Sequence, residues 1–266
     1  MLSAPGSITA DRLQLREVDA PAPGPGEIAI DVAACGVCRT DLQLVEGDLP
    51  ARRLPIVPGH QVVGRVSAIG AGVDRWQLGD RVGVAWLAGA CGECARCRAG
   101  DENLCDLAEF TGWDRDGGYA EVMVARAGFA FCIPDAFSDT EAAPLLCGGV
   151  IGYRSLKISG IRPGGRLGLY GFGASALLAL QVARHWECEV YVATRSTAER
   201  ERALEFGAVW AGGYDDAPPV GLDAAVTFAP VGSVVVAALR AIVPGGTVAI
   251  NAIHLDEIPA FDYDLL

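Results

Sequence analysis

Four of the nine cysteines in this 266-residue chain lie in one short run, CGECARCRAGDENLC. They are Cys91, Cys94, Cys97 and Cys105, with the spacing C-x2-C-x2-C-x7-C. Four thiolates this close together can surround one zinc ion as a tetrahedron, and such an ion has no open position for catalysis. The run therefore predicts a structural zinc lobe at residues 91–105.

Two other interpretations of the cysteine run fit less well. A disulfide framework is typical of small secreted chains, and this chain is large. An iron–sulfur run of the ferredoxin type has a narrower fourth gap, usually followed by proline, whereas Asp106 follows Cys105 here.

A glycine-rich run, GFGASA at residues 171–176, is the second pattern suited to chemistry. It has the form G-x-G-x-x-A between a strand-like and a helix-like segment. Gly171 allows a tight turn, Gly173 and the following Ala174 let the backbone approach a pyrophosphate, and Ala176 permits close packing of helix on strand. The run predicts that a dinucleotide binds at the N-terminus of a helix.

The end of the next strand-like segment bears on the choice of dinucleotide. NAD-specific sites place a carboxylate there, but this segment ends in Thr194, Arg195 and Ser196, with no carboxylate at its tip. Arg195 could pair with a 2′-phosphate, and Thr194 and Ser196 could donate hydrogen bonds to it. We therefore expect NADP(H) to be preferred over NAD(H).

Further candidate metal ligands are scattered along the chain, and their spacing alone does not join them. Cys38 lies in CGVCRTDLQ, His60 in VPGHQVVG and Cys147 in APLLCGGVIGY. Taken singly, a cysteine is usually a small buried hydrophobe and a histidine a polar turn residue. That ordinary interpretation is applied to the remaining candidates, namely Cys35, Cys132, Cys188, His185 and His254.

The elements that must position these residues change character along the chain. The first half has short strand-like runs separated by glycine and proline. From about Gly148, strand-like and helix-like runs alternate in the order βαβαβ, which is typical of a parallel doubly wound sheet. We expect two domains, residues 1–147 and 148–266, the first β-rich and the second α/β.

Composition excludes several classes of function. A net charge of −12 argues against nucleic acid or an anionic membrane as the main partner. No signal peptide and no membrane-spanning run are visible, so we expect a cytoplasmic protein acting on a small molecule.

Taken together, these motifs resemble the zinc-dependent medium-chain alcohol dehydrogenases. The matching stretches are GVCRTD, PGHQVVG, WLAGACGECARCRAGDENLC, DGGYAE, APLLCGG and GFGASALLALQVA, and they extend along nearly the whole chain. The resemblance implies a GroES-like catalytic domain followed by a Rossmann domain, with the active site between them. It also implies that the full-length form is a homo-oligomer, and that this chain is truncated at its C-terminus and also at its N-terminus.

The resemblance assigns roles to individual residues. Cys38, His60 and Cys147 match the three protein ligands of a catalytic zinc, so two zinc ions per chain are expected. Thr40 matches the hydroxyl residue that contacts the substrate oxygen, and Asp41 the carboxylate that orients the ligand histidine. Arg39 matches a basic residue that contacts the cofactor pyrophosphate. Trp86 resembles the aromatic side chain that narrows the substrate pocket, although ordinary core packing explains it nearly as well.

The implied reaction is hydride transfer between an alcohol, held by a Lewis-acidic zinc, and a nicotinamide, with Thr40 relaying the proton. Two positions depart from the family pattern. Gln61 replaces a common glutamate, which would make the metal more electrophilic, and Gln43 replaces a histidine of the proton relay, which would release the proton directly to solvent. Two alternatives remain open: a zinc-free quinone-reductase-like enzyme, and an inactive metal-binding fragment of a dehydrogenase.

Overall fold

The computed structural model of the chain describes residues 1–9, 11–252 and 255–265. These form two compact units, Met1–Cys147 and Gly148–Leu266. His254, interpreted above as an ordinary polar residue, lies outside the described residues. Within the described ranges, no helix is both long enough and apolar enough to cross a membrane.

The first unit is built mainly from short strands. Its elements are β1 (Glu27–Cys35), α1 (Arg39–Glu46), β2 (Val62–Ile69), β3 (Arg81–Val84), β4 (Leu87–Gly89), α2 (Ala95–Arg98), β5 (Glu109–Phe110), β6 (Val122–Arg126), β7 (Ala130–Cys132) and α3 (Asp139–Ala142). Single 3-10 turns lie at Glu102–Leu104, Ala127–Phe129 and Ala143–Leu146. Five strands form an antiparallel sheet in the order β6-β1-β2-β3-β7, and β4 pairs with β5.

Branched apolar residues on the central strands form the core of this unit. Ile28 and Ile30 of β1 pack with Val62 and Val66 of β2, and all four are almost fully buried. Alternation of such residues along a strand directs them to one face of the sheet, as this cluster requires. The sheet is thus a rigid base for the loops that carry the candidate ligands.

Helix α1 is fixed on the first unit by its apolar face. Leu44 and Val45 pack against Leu2 and Ile56, and each of these side chains is at most 2% exposed. The helix ends at Gly47, whose φ of 93° is a left-handed conformation that glycine adopts at little cost. This packing holds the first turn of α1 in place.

The second unit alternates helices and strands. Its elements are α4 (Gly148–Ser159), β8 (Arg166–Tyr170), α5 (Ala174–His185), β9 (Glu189–Ala193), α6 (Thr197–Glu205), β10 (Trp210–Gly212), β11 (Leu222–Thr227), α7 (Gly232–Ala241) and β12 (Ile242–Ile250), followed by a 3-10 turn at Tyr263–Leu265. All pairings in the sheet are parallel, in the order β10-β9-β8-β11-β12. The predicted doubly wound parallel sheet is confirmed.

Strand β8 lies at the centre of this sheet, and both of its faces are covered. Leu167 and Leu169 pack on one side with α5, while Tyr170 belongs to the cluster on the other side. The chain adds β9 and β10 on one side of β8, and β11 and β12 on the other. A doubly wound sheet binds its ligand at such a reversal, beyond the carboxyl ends of the strands.

The last strand of the sheet has an irregular first half. Strand β12 begins at Ile242, well before its continuous pairing with β11 starts at Thr247. Ile242 pairs with Leu222, and the register then shifts before Thr247 pairs with Ala224. The intervening Pro-Gly-Gly run follows the sheet as an irregular segment and does not form a separate loop.

Candidate metal centres and nucleotide-binding turn

Three residues distant in sequence converge in the first unit. Cys38 precedes α1, His60 precedes β2, and Cys147 follows the 3-10 turn Ala143–Leu146. One ligand atom from each lies within 4.8 Å of the others, and the Cys38 and Cys147 sulfurs are 3.8 Å apart. Tetrahedral zinc with Zn–S bonds of about 2.3 Å requires sulfurs about 3.8 Å apart, whereas a disulfide requires about 2.05 Å. The spacing therefore fits a shared zinc ion.

A buried carboxylate orients the histidine of this set. Asp41 Oδ1 lies 3.1 Å from His60 Nδ1 and also accepts a hydrogen bond from the Gly59 N–H at 3.2 Å. Its other oxygen accepts from the Cys38 N–H at 2.8 Å. Asp41 thus connects two of the candidate ligands, and because Nδ1 is occupied, Nε2 is the nitrogen left for a metal.

The electrostatics of the cluster favour a bound cation. Burial lowers the pKa of His60, but the hydrogen bond and charge of Asp41 outweigh it and raise the pKa to about 9. A hydrogen bond with Cys147, opposed by burial and assisted by His60, lowers the pKa of Cys38 to about 4. Both shifts favour the charged forms of the two side chains, a cationic imidazole and a thiolate. A zinc ion would supply that positive charge instead.

Thr40 and Trp86 border this cluster. Thr40 is 4% exposed, and its hydroxyl oxygen lies 3.7 Å from the Cys38 sulfur. The Trp86 ring meets the His60 ring edge to face, with centroids 4.8 Å apart. Both positions adjoin the candidate metal ligands, in keeping with the roles that the resemblance implies.

An aromatic group behind Trp86 was not anticipated from the sequence. Phe110 and Trp113 stack on Trp86 at 5.1 and 5.7 Å, and the Arg52 guanidinium lies 3.8 Å from the Trp113 ring centroid. Arg52 also pairs with Asp114 at 3.1 Å. The stretch EFTGWD, just after the cysteine run, was the available signal, but nothing local indicates that these rings reach Trp86.

Tyr119 is a second neighbour that sequence analysis missed, although it lies in the quoted stretch DGGYAE. Its hydroxyl is buried and makes no hydrogen bond of regular geometry. Burial, followed by the nearby negative charge of Asp41, raises the pKa of Tyr119 above its ordinary value. The hydroxyl is thus a buried polar group close to the carboxylate that orients His60.

The four cysteines of the lobe also lie together. Their sulfurs are within 4.8 Å of one another, with Cys91 and Cys94 at 3.8 and 3.5 Å from Cys97. Backbone N–H groups point at three of the sulfurs, including Cys94 N at 3.4 Å from Cys91 and Leu107 N at 3.4 Å from Cys105. N–H donors of this kind stabilise thiolates, and those of Glu93 and Cys94 lower the pKa of Cys91 to about 6. The lobe fits a tetrathiolate zinc.

In the second unit, the glycine-rich run forms the turn between β8 and α5. Gly171 has a φ of 92°, and a Cβ there would lie 2.9 Å from the Ala229 backbone nitrogen. Gly173 is exposed, and a Cβ added to it would meet nothing within 4 Å. Gly173 is also the N-cap residue of α5, so the helix begins without a side-chain cap. Ala176 is fully buried against the sheet. The exposed, uncapped first turn that begins at Ala174 fits an anionic pyrophosphate.

At the end of β9 the structure differs from the sequence interpretation. Arg195 is exposed and makes no ion pair with any described residue. Thr194, however, is buried, and its hydroxyl donates a hydrogen bond to the side-chain carboxylate of Glu199. The Ser196 hydroxyl caps α6 by accepting a hydrogen bond from the backbone N–H of Glu199 at 3.3 Å. The expectation that no carboxylate lies at this tip is wrong, because the first turn of α6 brings Glu199 back to it.

The remaining sequence candidates are dispersed. Arg39, the first residue of α1, is exposed and has no ion pair within the described part of the chain. Cys188 is buried and Cys35 half-buried, as ordinary apolar cysteines would be. Cys132 is not buried as expected: it is exposed at the end of the edge strand β7.

The chain resembles known proteins over most of its length. Residues 24–135 match the family model of the alcohol dehydrogenase GroES-like domain. Over 264 residues the chain is 50% identical to a Mycobacterium tuberculosis protein named "Probable alcohol dehydrogenase AdhA", a match that covers 97% of this chain and 76% of the relative.

Solved structures agree with this likeness. A protein named CAD from Helicobacter pylori, complexed with NADP(H), superposes with a TM-score of 0.84 at 25% identity, covering 92% of this chain and 74% of that one. A cobalt- and zinc-bound thermostable alcohol dehydrogenase from Pyrobaculum aerophilum gives a TM-score of 0.82 at 30% identity, covering 94% and 77%. The expected GroES-like and Rossmann folds are thereby confirmed.

Proposed function

Because the chain belongs to the medium-chain alcohol dehydrogenase family, we propose that it interconverts an alcohol and an aldehyde or ketone with zinc and a nicotinamide cofactor. The observation that carries the proposal is the convergence of Cys38, His60 and Cys147, with two sulfurs 3.8 Å apart and the histidine oriented by Asp41. Two cysteines and one histidine are the ligand set already known for alcohol dehydrogenases. The zinc-bound Pyrobaculum aerophilum enzyme supports the same choice of metal.

The residues of the first unit would divide the work at the metal. Cys38, His60 and Cys147 would hold the zinc, which when bound supplies a Lewis acid that lowers the pKa of an alcohol hydroxyl. Thr40 would accept the substrate proton at Oγ1, next to the Cys38 sulfur. Because residue 43 is glutamine, we propose that the proton then passes to water and not to a histidine.

The second unit would hold the cofactor, which when bound accepts or returns a hydride at C4 of its nicotinamide. Gly171, Gly173, Ala174 and Ala176 would bind the pyrophosphate through the uncapped first turn of α5. Arg39 would neutralise a phosphate of the same group, as the family resemblance implies.

We propose that NADP(H) is preferred over NAD(H). Arg195 is exposed at the end of β9 without an ion pair among the described residues, so its guanidinium is free to pair with a 2′-phosphate, and the hydroxyl of Ser196 is its neighbour. The NADP(H) complex of the Helicobacter pylori protein supports this choice. Equal or better kcat/KM with NAD(H), in kinetics run side by side, would contradict it.

The cysteine lobe and Trp86 would have supporting roles. Cys91, Cys94, Cys97 and Cys105 would bind a second zinc that stabilises residues 91–105 without entering the reaction. Trp86, held against His60 by Phe110 and Trp113, would narrow the space available to the alcohol carbon chain.

The proposal is tested by metal content and turnover measured on the same preparations. Wild-type protein should bind two zinc ions and oxidise a member of an alcohol panel with NADP or NAD. Cys38→Ser should lose one zinc and lose turnover, while Cys132→Ser, which removes an exposed cysteine outside both clusters, should change neither. A single zinc in the wild type, or full turnover in Cys38→Ser, would overturn the proposal.

A further inference from the structure

Glu199, six residues beyond the end of β9, brings a carboxylate back to the carboxyl end of that strand. Strand β9 ends at Ala193, and the Thr194 N–H donates to the Gly212 carbonyl at 2.9 Å, which continues the pairing with the β10 edge. In a doubly wound sheet the carboxyl end of this strand contacts the ribose that carries the 2′ group. Groups held at Thr194 would therefore lie near the 2′ position of a dinucleotide bound to this sheet.

Glu199 is held at this position from two directions. As the third residue of α6 it donates its N–H to the capping hydroxyl of Ser196 at 3.3 Å, which fixes its backbone. Its side chain turns back toward the strand, where the buried Thr194 hydroxyl donates to Oε2. A carboxylate tied in this way is not a mobile solvent charge, and its negative charge stays at the strand tip.

Charges of both signs meet there. Arg195 is exposed and makes no ion pair with a described residue, and Arg200 donates to the Thr197 hydroxyl at 2.8 Å. The Tyr214 side chain lies close to the same group: burial raises its pKa, contacts with Thr194 and Arg195 lower it, and the charge of Glu199 raises it further. A guanidinium and a carboxylate therefore lie near the same strand end, where both act on Tyr214.

We infer that Glu199 limits the NADP(H) preference of this chain, weakening the binding of a 2′-phosphate and keeping the 2′-hydroxyl of NAD(H) acceptable. The inference rests on the proposed function, because it assumes that a nicotinamide dinucleotide binds the second unit. The ribose hydroxyl can donate to a carboxylate, whereas a phosphate monoester carries about 1.5 to 2 negative charges and is repelled by it. Arg195 acts in the opposite sense, so the two residues together give a moderate preference for NADP(H).

The test is a binding measurement on the full chain, independent of turnover. Dissociation constants for NADPH and NADH are obtained by fluorescence titration of wild type, Glu199→Gln, Glu201→Gln and Arg195→Gln. Glutamine at position 199 keeps an oxygen that can accept from Thr194 while removing the charge. Glu201 is the matched control, since it is an exposed glutamate of the same helix that is not directed at the strand tip by any hydrogen bond among the described residues.

We expect Glu199→Gln to bind NADPH at least tenfold more tightly while its NADH constant changes by less than threefold. Arg195→Gln should weaken NADPH binding by a similar factor, and Glu201→Gln should match the wild type. An unchanged NADPH-to-NADH ratio in Glu199→Gln, or the same shift in Glu201→Gln, would overturn the inference alone. Binding of neither dinucleotide by any of the proteins would overturn it together with the proposed function.

Discussion

Asp41 and His60 form a buried pair in which Oδ1 of the carboxylate lies 3.1 Å from Nδ1 of the imidazole. The two side chains are 6% and 2% exposed. The same carboxylate accepts hydrogen bonds from the backbone of Cys38 and of Gly59. One residue thus fixes both the ring orientation of one candidate ligand and the backbone of another, which makes Asp41 the positioning residue of the proposed catalytic zinc site.

Asp41→Asn should weaken that zinc site without affecting the cysteine lobe. Loss of a carboxylate that orients a ligand histidine commonly costs about 10- to 100-fold in metal affinity. Zinc release to a chromogenic chelator should show one ion leaving more readily and the other unchanged. Asp48→Asn, an exposed position just beyond α1, is the control, and equal retention of both ions in Asp41→Asn would contradict the assigned role.

Removal of one lobe cysteine should have the complementary effect. Cys94→Ser should lose the other zinc and expose residues 91–105 to proteolysis, because the lobe has little apolar core of its own. Cys97 and Cys105 are buried, but the leucines of the lobe region are not: Leu104 is 49% exposed and Leu107 is 71% exposed. Zinc content and limited proteolysis, with Cys132→Ser run in parallel, would check this. A lobe that remains protease-resistant without its metal would show that zinc is not what stabilises it.

The two glycines of the nucleotide turn should respond differently to alanine. Gly171→Ala should lower the free energy of unfolding by about 1–2 kcal/mol, because its φ is 92° and the added Cβ would lie 2.9 Å from the Ala229 nitrogen. Gly173→Ala should leave stability nearly unchanged, since the added Cβ would meet nothing within 4 Å. Gly173→Ala should nevertheless weaken dinucleotide binding, because the backbone must closely approach the pyrophosphate there. Chemical denaturation and cofactor titration of both variants separate the effect on stability from the effect on binding. Dinucleotide binding by Gly173→Ala as strong as that of the wild type would contradict the assignment of this turn as the pyrophosphate site.

The ion pair of Glu27 with Arg115 should make part of the stability depend on pH. Partial burial raises the pKa of Glu27, but the Gly24 N–H, at 3.0 Å, and the Arg115 guanidinium outweigh it, so the pKa is lower than in an unfolded chain. A lowered pKa stabilises the fold above the unfolded value of about 4.3, and this contribution is lost as the pH falls through the folded value.

Glu27→Gln should therefore cost about 1 kcal/mol at pH 7 and progressively less below about pH 4. Urea denaturation at several pH values measures this difference, with the exposed Glu17→Gln as control. A cost that does not change with pH would show that the carboxylate charge is not the source of the stability.

Tyr119→Phe should not destabilise the first unit. Its hydroxyl is buried without a regular hydrogen bond, so its removal relieves a desolvation cost, and the free energy of unfolding should stay the same or rise by about 1 kcal/mol. Thermal denaturation of the zinc-loaded protein measures the change. A loss of more than about 1 kcal/mol would mean that the hydroxyl has a stabilising partner, for which the Asp41 carboxylate is the nearest candidate.

Some of this site is determined by sequence alone, because the chain itself imposes the geometry. Four cysteines within residues 91–105 cannot lie far apart, so the lobe was predictable from spacing. The turn from Gly171 to Ala176 was predictable in the same way, since a strand, a glycine turn and a helix follow one another without a gap. The parallel sheet followed from the alternation of strand-like and helix-like runs.

Other features depend on contacts between distant segments, and only the tertiary structure decided them. Cys38 and Cys147 are separated by 109 positions, and their sulfurs meet only because the sheet and α1 hold both loops at one place. Sequence analysis joined them through family resemblance, since spacing carried no information. It missed Glu199, Tyr119 and the rings behind Trp86, because the direction in which a side chain turns is set by the hydrogen bonds and packing of its neighbours, which residue order alone does not encode.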